Sequence, residues 1–182
     1  MNERLSLRER KKQATRLLLM ETALDLFEER GFESVSVAEI AEAAEVSKAT
    51  VFNYFPAKED LVLAGAEGHL DEAARIVRNR AAGQTPHGAL RHYHMEMLRN
   101  REPLTGLSDH PVVLRVHRVV KQSPDLTLKA MDLRRRSAEL VAQALMEEGS
   151  PELTARLVAS QLMHAQHLLS HMNVHRINAG ES

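Results

Sequence analysis

The sequence contains no cysteine and no tryptophan, and aromatic residues make up only 3% of its 182 positions. Without cysteine the chain can form no disulfide and can use no thiolate as a nucleophile or metal ligand. Residues that favour strands are scarce, whereas the helix formers Ala, Leu, Glu and Arg are common. With 43% apolar residues the chain can still bury a substantial core. These proportions predict a folded, all-α protein.

Long apolar runs are also missing. No segment approaches the roughly 20 apolar residues that span a bilayer, and the start MNERLSLRERKK lacks the apolar core of a secretory signal. We therefore expect a cytoplasmic protein without a membrane partner. An excess of one charge is missing as well, because the formal net charge is −1 at pH 7. Residues 1–60 hold 9 Lys and Arg against 12 Asp and Glu, a balance that does not favour nucleic-acid binding.

Helix-boundary signals are present in the first third of the chain. Ser36 and Glu39 have the spacing of a capping box, in which the serine hydroxyl accepts from the Glu39 amide and the carboxylate accepts from the Ser36 amide. Ser47 is a second N-cap candidate, and Pro56 ends the helix that we expect over residues 48–55. Two short helices joined by a tight turn have the size that fits one DNA major groove.

A longer amphipathic helix precedes these two. Its apolar stripe at helical spacing consists of Leu17, Met20, Leu24 and Phe27. Gly31 follows where a glycine ends a helix, and Phe32 is then placed to contact Phe27. We expect Val51 and Phe55 to complete a small core shared by three helices.

The order of these elements is specific. Residues 23–64 read ALDLFEERGFESVSVAEIAEAAEVSKATVFNYFPAKEDLVLA, with Leu-Phe, Gly-aromatic, a capped Ile-Ala helix, Val-Ser and an aromatic-rich helix in succession. In this order the chain resembles the TetR/AcrR family of transcriptional regulators. The resemblance implies a helix-turn-helix DNA-binding domain at residues 13–73, with its motif at about 36–55. It implies a C-terminal helical regulatory and dimerisation domain at residues 74–182.

The resemblance also implies which residues contact DNA. Residues at the start of the second short helix would face base edges, with two more a turn further along, while Ser36, Tyr54 and Lys58 would meet phosphates. The complete expected set is Ser36, Lys48, Ala49, Thr50, Phe52, Asn53, Tyr54 and Lys58.

Two positions depart from the family pattern. Glu45 stands where the family commonly has glycine, so we expect the turn either to differ or to carry strain of about 1 kcal/mol. Phe52 stands where the family often has tyrosine, which removes a polar contact and leaves a ring for a thymine methyl group.

A basic segment lies at the start of the sequence, before the apolar stripe of the first helix. It contains Arg4, Arg8, Arg10, Lys11, Lys12 and Arg16. Two interpretations are open for it: an arm that attracts DNA phosphates, or a solvated disordered tail.

The remaining chain is expected to be helical. One helix over residues 58–79 would link the domains and pass through Gly65 and Gly68, which would allow bending or close packing. Further helices are predicted at residues 86–101, 111–122, 124–148 and 151–172, each bounded by Pro, Gly or Ser. Residues 102–110 should form a loop with one helical turn.

A ligand cavity is expected among the central helices. Its candidate lining is Tyr93, Met97, Leu98, Leu114, His117, Met131 and Met163. These residue types also fill ordinary cores, so both interpretations are open. Because few formal charges occur in this set, we expect an unidentified small-molecule effector that is apolar or weakly polar, and no cofactor.

The last two helices have apolar residues on more than one face, which favours a two-fold four-helix bundle in a homodimer. The predicted interface is Leu140, Ala144, Val158, Leu162, Ala165 and Leu169. Histidines recur in the last helix at positions 164, 167, 171 and 175. A half-polar packing stripe, a pH-sensitive interface and a metal site are all conceivable, and without interleaved carboxylates we expect no metal.

Together these features favour a sequence-specific transcriptional regulator that binds double-stranded operator DNA. We expect a repressor released from a palindromic operator by a small molecule. Two alternatives belong to other classes. An enzyme is disfavoured because no catalytic constellation can be assigned, and a helical scaffold without DNA binding is supported only by the acidic balance of residues 1–60.

Overall fold

The computed structural model describes residues 6–180, without the side chain of Asn178. Within that range the chain is all-α and contains no strand, as the composition predicts. The helices are α1 (Leu7–Arg30), α2 (Val37–Ala43), α3 (Lys48–Tyr54), α4 (Asp60–Glu67), α5 (Glu72–Arg78), α6 (Pro86–Arg99), α7 (Pro111–Gln122), α8 (Pro124–Glu147) and α9 (Glu152–Asn178). A 3₁₀ turn at Pro103–Thr105 provides the single turn expected between α6 and α7. None of the helices found within residues 6–180 is both long enough and apolar enough to cross a bilayer.

The chain divides into two compact units. The N-terminal unit contains residues 6–64 together with Leu114–Thr127, and the C-terminal unit contains Gly65–Val113 and residues 128–180. This assignment of Leu114–Thr127 is not visible in the sequence pattern, because the segment is separated from α1 by more than 80 residues. The domain limits of 13–73 and 74–182 stay predictions.

The core of the N-terminal unit is built around α1. Leu24 and Phe27 are buried as predicted, but Leu17 is 57% exposed, so its placement in the core stripe is wrong. Leu19 and Ala23 are fully buried instead. In the middle of α1 the buried face is therefore rotated relative to the predicted one. The packing of α1 against its neighbours decides which face is buried, and helical spacing alone does not.

Gly31 ends α1 with φ at 84°, a value that suits glycine. The chain then reverses, and the rings of Phe27 and Phe32 pack with centroids 5.0 Å apart, as predicted. Val35, Ile40, Val51, Phe55 and Leu61 complete the core.

Ion pairs join the segment Leu114–Thr127 to the C-terminal half of α1, which is acidic. Arg115 donates to Glu28 at 2.6 Å and to Asp25 at 2.5 Å, and Arg118 donates to Glu28 at 2.9 Å. Arg115 and Arg118 neutralise part of the acidic charge of residues 1–60. In the sequence alone, that acidic excess disfavours DNA binding.

The predicted single helix over residues 58–79 is wrong. It is two helices, because α4 ends at Glu67 and α5 begins at Glu72, with a turn between them. Gly68 lies in this turn, where its low helix propensity favours a break. Gly65 lies within α4, and a Cβ atom there would have no neighbour within 4 Å. The missing side chain of Gly65 therefore does not permit another element to pack closely against α4.

The C-terminal unit has its own core. It joins α5, α6, α8 and α9 through Ala73, Ala74, Val77, Leu90, Val141, Ala142, Ala144, Leu145, Ala155 and Ala159. Small alanines on facing helices allow the helix axes to approach closely. The predicted helix boundaries agree with the structure at α6, α7 and α8, whereas α9 continues beyond the predicted residue 172 to Asn178.

Candidate DNA-binding site

The first helix of the motif, α2, begins with the predicted capping box. The Ser36 hydroxyl accepts from the Glu39 amide at 3.3 Å, and the Ser36 amide donates to the Glu39 carboxylate at 2.8 Å. Arg30 pairs with the same carboxylate at 2.6 Å. The hydrogen bonds from Ser36 and Arg30 lower the pKa of Glu39 to about 2. The start of α2 is thus fixed by a charged network that also holds the end of α1.

This network gives a pH-dependent stability. The lowered pKa of Glu39 stabilises the folded chain above pH ~4.5, and that contribution is lost as the pH falls towards 2. We expect Glu39→Gln to be less stable than the wild type at pH 7 and the difference to shrink as the pH falls through this window. Urea unfolding of both proteins across the range measures it. Glu42→Gln, on the exposed side of the same helix, is the control and should show no such convergence.

The turn between α2 and α3 carries the strain expected at Glu45. Its φ of 55° lies in the left-handed region, which costs a non-glycine residue roughly 1 kcal/mol. The Val46 amide returns to the Ala41 carbonyl at 2.9 Å, so the turn closes despite this cost.

The second helix of the motif, α3, presents one side to the core and the other to solvent. Ser47 caps it by accepting from the Thr50 amide at 3.0 Å. Val51 and Phe55 are each 1% exposed, as predicted. On the outer side, Lys48, Ala49, Phe52 and Asn53 are exposed, while Thr50 and Tyr54 are half-buried at the edges.

Phe52 is 43% exposed, which is unusual for a phenylalanine that could have joined the core. The Lys48 ammonium lies 5.8 Å from the centre of its ring. The exposed side of α3 therefore combines a cation and an apolar ring, the groups that contact guanine and a thymine methyl group.

The basic segment is helical from residue 7 onward. A second capping box, formed by Ser6 and Glu9, begins α1 at Leu7, so the basic residues from Arg8 to Arg16 lie on helical turns. Arg4 lies outside the described residues. Arg8, Arg10, Lys11 and Lys12 are exposed.

Arg16 ties this segment to the end of α3. Its guanidinium donates to the Tyr54 carbonyl at 3.2 Å and lies 4.4 Å from the centre of the Phe55 ring. The sequence gives no motif for this contact, which joins α1 to the C-terminal end of α3.

Lys58 has an internal role in the structure. Its ammonium donates to the carbonyls of Phe32 and Val35 at 2.9 and 3.0 Å, and it lies 4.1 Å from the centre of the Phe32 ring. Lys58 therefore holds the connection between α1 and α2. The Ser36 amide is likewise taken by Glu39. The expected phosphate contacts of both residues stay predictions.

The residues expected to line a ligand cavity are dispersed. Leu114 and His117 belong to the N-terminal unit, and the other five belong to the C-terminal unit. There, Met97 is buried, Tyr93, Leu98 and Met163 are half-buried, and Met131 is 54% exposed.

A groove of about 430 Å³ adjoins Tyr93 between α5 and α6. Its lining includes Glu72, Arg75, Arg80 and Glu96, so it is more charged than the predicted cavity. Two of these charged side chains have partners outside the lining: Arg80 pairs with Glu148, and Glu72 bonds His69 at 2.5 Å.

The predicted dimer residues differ in exposure. Ala144 is fully buried in the core of its own unit, and Leu140 and Leu162 pack partly against that core. Val158, Ala165 and Leu169 are exposed. The exposed apolar face of α9 is wider than this set and consists of Leu153, Leu157, Val158, Ala165, Leu168, Leu169 and Met172.

The four histidines of α9 lie along one side of the helix. The rings of His171 and His175 have centroids 4.6 Å apart, and those of His167 and His171 6.3 Å. In the part of the chain that the structure describes, no three His, Cys, Asp or Glu side chains are grouped so as to hold a metal ion.

Comparison with known proteins agrees with the geometry of the N-terminal unit. The family profile described as bacterial regulatory proteins, tetR family, matches residues 19–64. HTH-type transcriptional regulator TcmR of Streptomyces glaucescens is 34% identical over 136 residues, covering 74% of this chain and 58% of TcmR. HTH-type transcriptional regulator LuxR of Vibrio harveyi is 56% identical over 59 residues, covering 32% of this chain and 26% of LuxR.

A solved structure extends the likeness to most of the chain. The crystal structure of NalD, the secondary repressor of the MexAB-OprM multidrug efflux pump in Pseudomonas aeruginosa, has a TM-score of 0.54. At 19% identity, covering 92% of this chain and 86% of NalD, this likeness shows the fold alone. The chain spans no more than 58% of the length of the curated relatives named here. The capped helices, the strained turn and the buried core all lie inside or beside the matched residues, and this segment of the chain belongs to the TetR family of bacterial regulatory proteins.

Proposed function

We propose that this protein is a dimeric, sequence-specific transcriptional regulator that represses by occupying a palindromic operator. The observation that carries the proposal is the division of α3 into a buried side, Val51 and Phe55, and an exposed side with Lys48, Phe52 and Asn53. A helix held in this way projects its outer side chains from a rigid support, as a reading helix requires.

In the proposed complex, α3 enters the major groove. Lys48, Ala49 and Thr50 lie at its N-terminal end and face base edges, while Phe52 and Asn53 reach bases one turn further along. Tyr54 and the exposed basic residues of α1 meet the flanking phosphates. Arg16 supports this proposal, since its hydrogen bond to the Tyr54 carbonyl joins α1 to the C-terminal end of α3.

The charge balance of the N-terminal unit is compatible with this proposal. Asp25, Glu28 and Glu33 lie in or after the last two turns of α1 and are bonded by Arg115, Arg118 and Ser123. The basic residues lie at the other end of α1, about 25 Å away at 1.5 Å per residue. Opposite ends of one helix therefore differ in charge, and DNA attraction needs only the basic end.

A second copy of the chain is the proposed occupant of the exposed α9 face. A helix that is apolar on both its inner and outer sides is stable in water when a partner covers the outer side. Two-fold pairing would also set two copies of α3 about 34 Å apart, one turn of DNA.

The dimer proposal predicts a large effect at Leu168 and Leu169, which are 51% and 60% exposed. The double substitution Leu168→Glu with Leu169→Glu places charges in the proposed interface and should give single chains in analytical ultracentrifugation, with loss of operator binding. Met95→Glu, on the exposed side of α6, is the matched control and should stay dimeric. A double variant that keeps the mass of the wild type would exclude this face as the interface.

The proposed effector acts by differential affinity. A small molecule releases the operator if it binds better to a conformation whose reading helices do not match the DNA spacing.

Selection of bound sequences from a random DNA library, followed by fluorescence anisotropy at several salt concentrations, tests the function. We expect a palindrome to be enriched and its affinity to fall steeply with salt, because phosphate contacts release counterions. A scaffold or an enzyme without DNA binding would enrich no sequence, and that outcome would refute the proposal.

A further inference from the structure

The C-terminal end of α3 lacks one of the backbone donors that usually close a helix. The last carbonyls of an α-helix have no partner within the helix, and amides of the following residues commonly bond to them. After α3 ends at Tyr54, the Phe55 amide donates to the Val51 carbonyl at 2.9 Å. The next residue is Pro56, which has no amide hydrogen. The Tyr54 carbonyl therefore depends on a donor from elsewhere in the fold or from water.

Arg16 on α1 supplies that donor, although 38 positions separate it from Tyr54 in the sequence. The Nη1 atom of Arg16 lies 3.2 Å from the Tyr54 carbonyl oxygen. A cation is also the favourable charge at this end of a helix, because the aligned backbone dipoles leave partial negative charge there. The last turn of α3 is thus joined to α1 by a side chain that suits both its free carbonyl and its charge.

Stacking on a core ring restricts where the Arg16 guanidinium can lie. Its central carbon is 4.4 Å from the centre of the Phe55 ring, and Phe55 is only 1% exposed. Arg16 is half-buried, whereas Arg10 and Lys12 on the same helix are exposed. A planar guanidinium can stack on an aromatic ring while its N–H groups point outward in its own plane. Arg16 is therefore packed into the N-terminal unit, unlike the exposed cations of α1.

A helix as short as α3 needs support at both of its ends. Its 7 residues are too few to form a stable helix alone in water. The Ser47 cap and the turn at Glu45 hold the N-terminal end, and the contacts of Arg16 hold the C-terminal end. Seven residues span about 10 Å, so a displacement of about 2 Å at one end turns the helix by roughly 10°. A rotation of that size reaches the tolerance within which binding side chains must be held.

We propose that Arg16 is a positioning residue for operator recognition. It holds the C-terminal end of α3 against α1 and thereby sets the angle at which the reading helix meets the bases. Arg16 itself touches no base, and its effect on DNA passes through the side chains of α3, such as Lys48 and Thr50. This inference rests on the proposed function, because it adds a residue to the same DNA-binding site. It separates Arg16 from the exposed cations of α1, whose proposed partners are phosphates.

A phosphate contact is the competing role for Arg16. A guanidinium has five N–H donors, so one bond to the Tyr54 carbonyl leaves others free to meet DNA. The two roles have different consequences for binding. A phosphate contact strengthens binding to every DNA sequence alike and adds to the salt dependence. A positioning contact strengthens binding only where the side chains of α3 meet the correct bases, and it therefore raises the ratio of operator affinity to scrambled-DNA affinity.

Fluorescence anisotropy of the full chain with the selected operator and a scrambled duplex, at several salt concentrations, distinguishes these roles. Arg16→Lys keeps the positive charge but loses the planar group that stacks on Phe55. We expect Arg16→Lys to lower the affinity ratio by about tenfold or more, with scrambled-DNA affinity within about twofold of the wild type. Arg16→Gln, which also removes the charge, should lower the ratio at least as much. Arg10→Gln removes an exposed arginine from the same helix and should weaken binding to both duplexes alike.

The affinity ratio also separates positioning from a loss of fold, because a smaller folded fraction lowers both affinities by the same factor. Thermal unfolding of each variant measures that fraction independently. An unchanged ratio in Arg16→Lys would overturn the inference, since a cation alone would then suffice. A uniform loss in Arg16→Gln, with a salt slope lower by about 1, would assign Arg16 to a phosphate and would also overturn it. Either result beside normal operator binding by the wild type rejects this inference alone, whereas absence of DNA binding by the wild type rejects the proposed function.

Discussion

The double substitution Lys48→Ala with Thr50→Ala should weaken binding to the selected operator by about 1–3 kcal/mol for each base contact that is lost. Both side chains lie at the N-terminal end of α3, where helix-turn-helix proteins reach base edges. The loss should be specific, so that affinity for unrelated DNA changes little. Fluorescence anisotropy with operator and scrambled duplexes measures both quantities.

Two controls separate this effect from others. Thr50 also contacts the Ser47 hydroxyl at 2.8 Å, so thermal unfolding must show that the variant keeps its fold. Lys12→Ala removes an exposed cation from α1 and should weaken binding to all sequences alike, lowering the salt slope by about 1. If the α3 variant binds the operator as tightly as the wild type, α3 is not the reading helix.

Gly106→Ala should lower the free energy of unfolding of the protein by about 2–5 kcal/mol. Gly106 has a φ of 73°, which disfavours any residue with a Cβ atom. A Cβ atom at this position would also collide with the backbone carbonyl of Ser170 on α9. Because the obstacle is backbone, neither a rotamer change nor a small shift of a side chain removes it. Chemical denaturation monitored by circular dichroism measures the loss.

Gly149→Ala is the matched control for this prediction. Gly149 has a φ of 93°, but a Cβ atom there would meet nothing within 4 Å. It should therefore show the backbone strain alone, about 1–2 kcal/mol. Equal losses at the two glycines would contradict the close approach of the Gly106 loop to α9.

Local signals in the sequence predicted the N-terminal unit well. The capping box of Ser36 and Glu39, the Ser47 cap and the glycine end of α1 each depend on contacts within a few residues, and each is confirmed. The strain at Glu45 could be predicted for the same reason. A short-range hydrogen bond or φ requirement leaves a pattern that can be read without knowing the rest of the fold.

Features decided by distant contacts could not be predicted. Leu17 has the spacing of a core residue, yet the packing of α1 leaves it exposed. The ion pairs of Arg115 and the carbonyl contacts of Lys58 join residues far apart in sequence and leave no motif. The ligand cavity was the weakest prediction, because methionine and leucine occur both in pocket linings and in ordinary cores. The sequence does not distinguish these two environments.

The central claim is that α3 lies in the major groove of operator DNA, twice per dimer. Because the chain has no cysteine, Asn53→Cys provides a unique attachment point on the exposed side of α3 for an iron chelate that cleaves nearby DNA. On the selected operator we predict two clusters of cleavage in the major groove, about 10 base pairs apart. The same chelate on Ser34→Cys, an exposed residue outside α3, should cut weakly and elsewhere. Cleavage from position 53 that is absent, or no stronger than from position 34, would contradict the account.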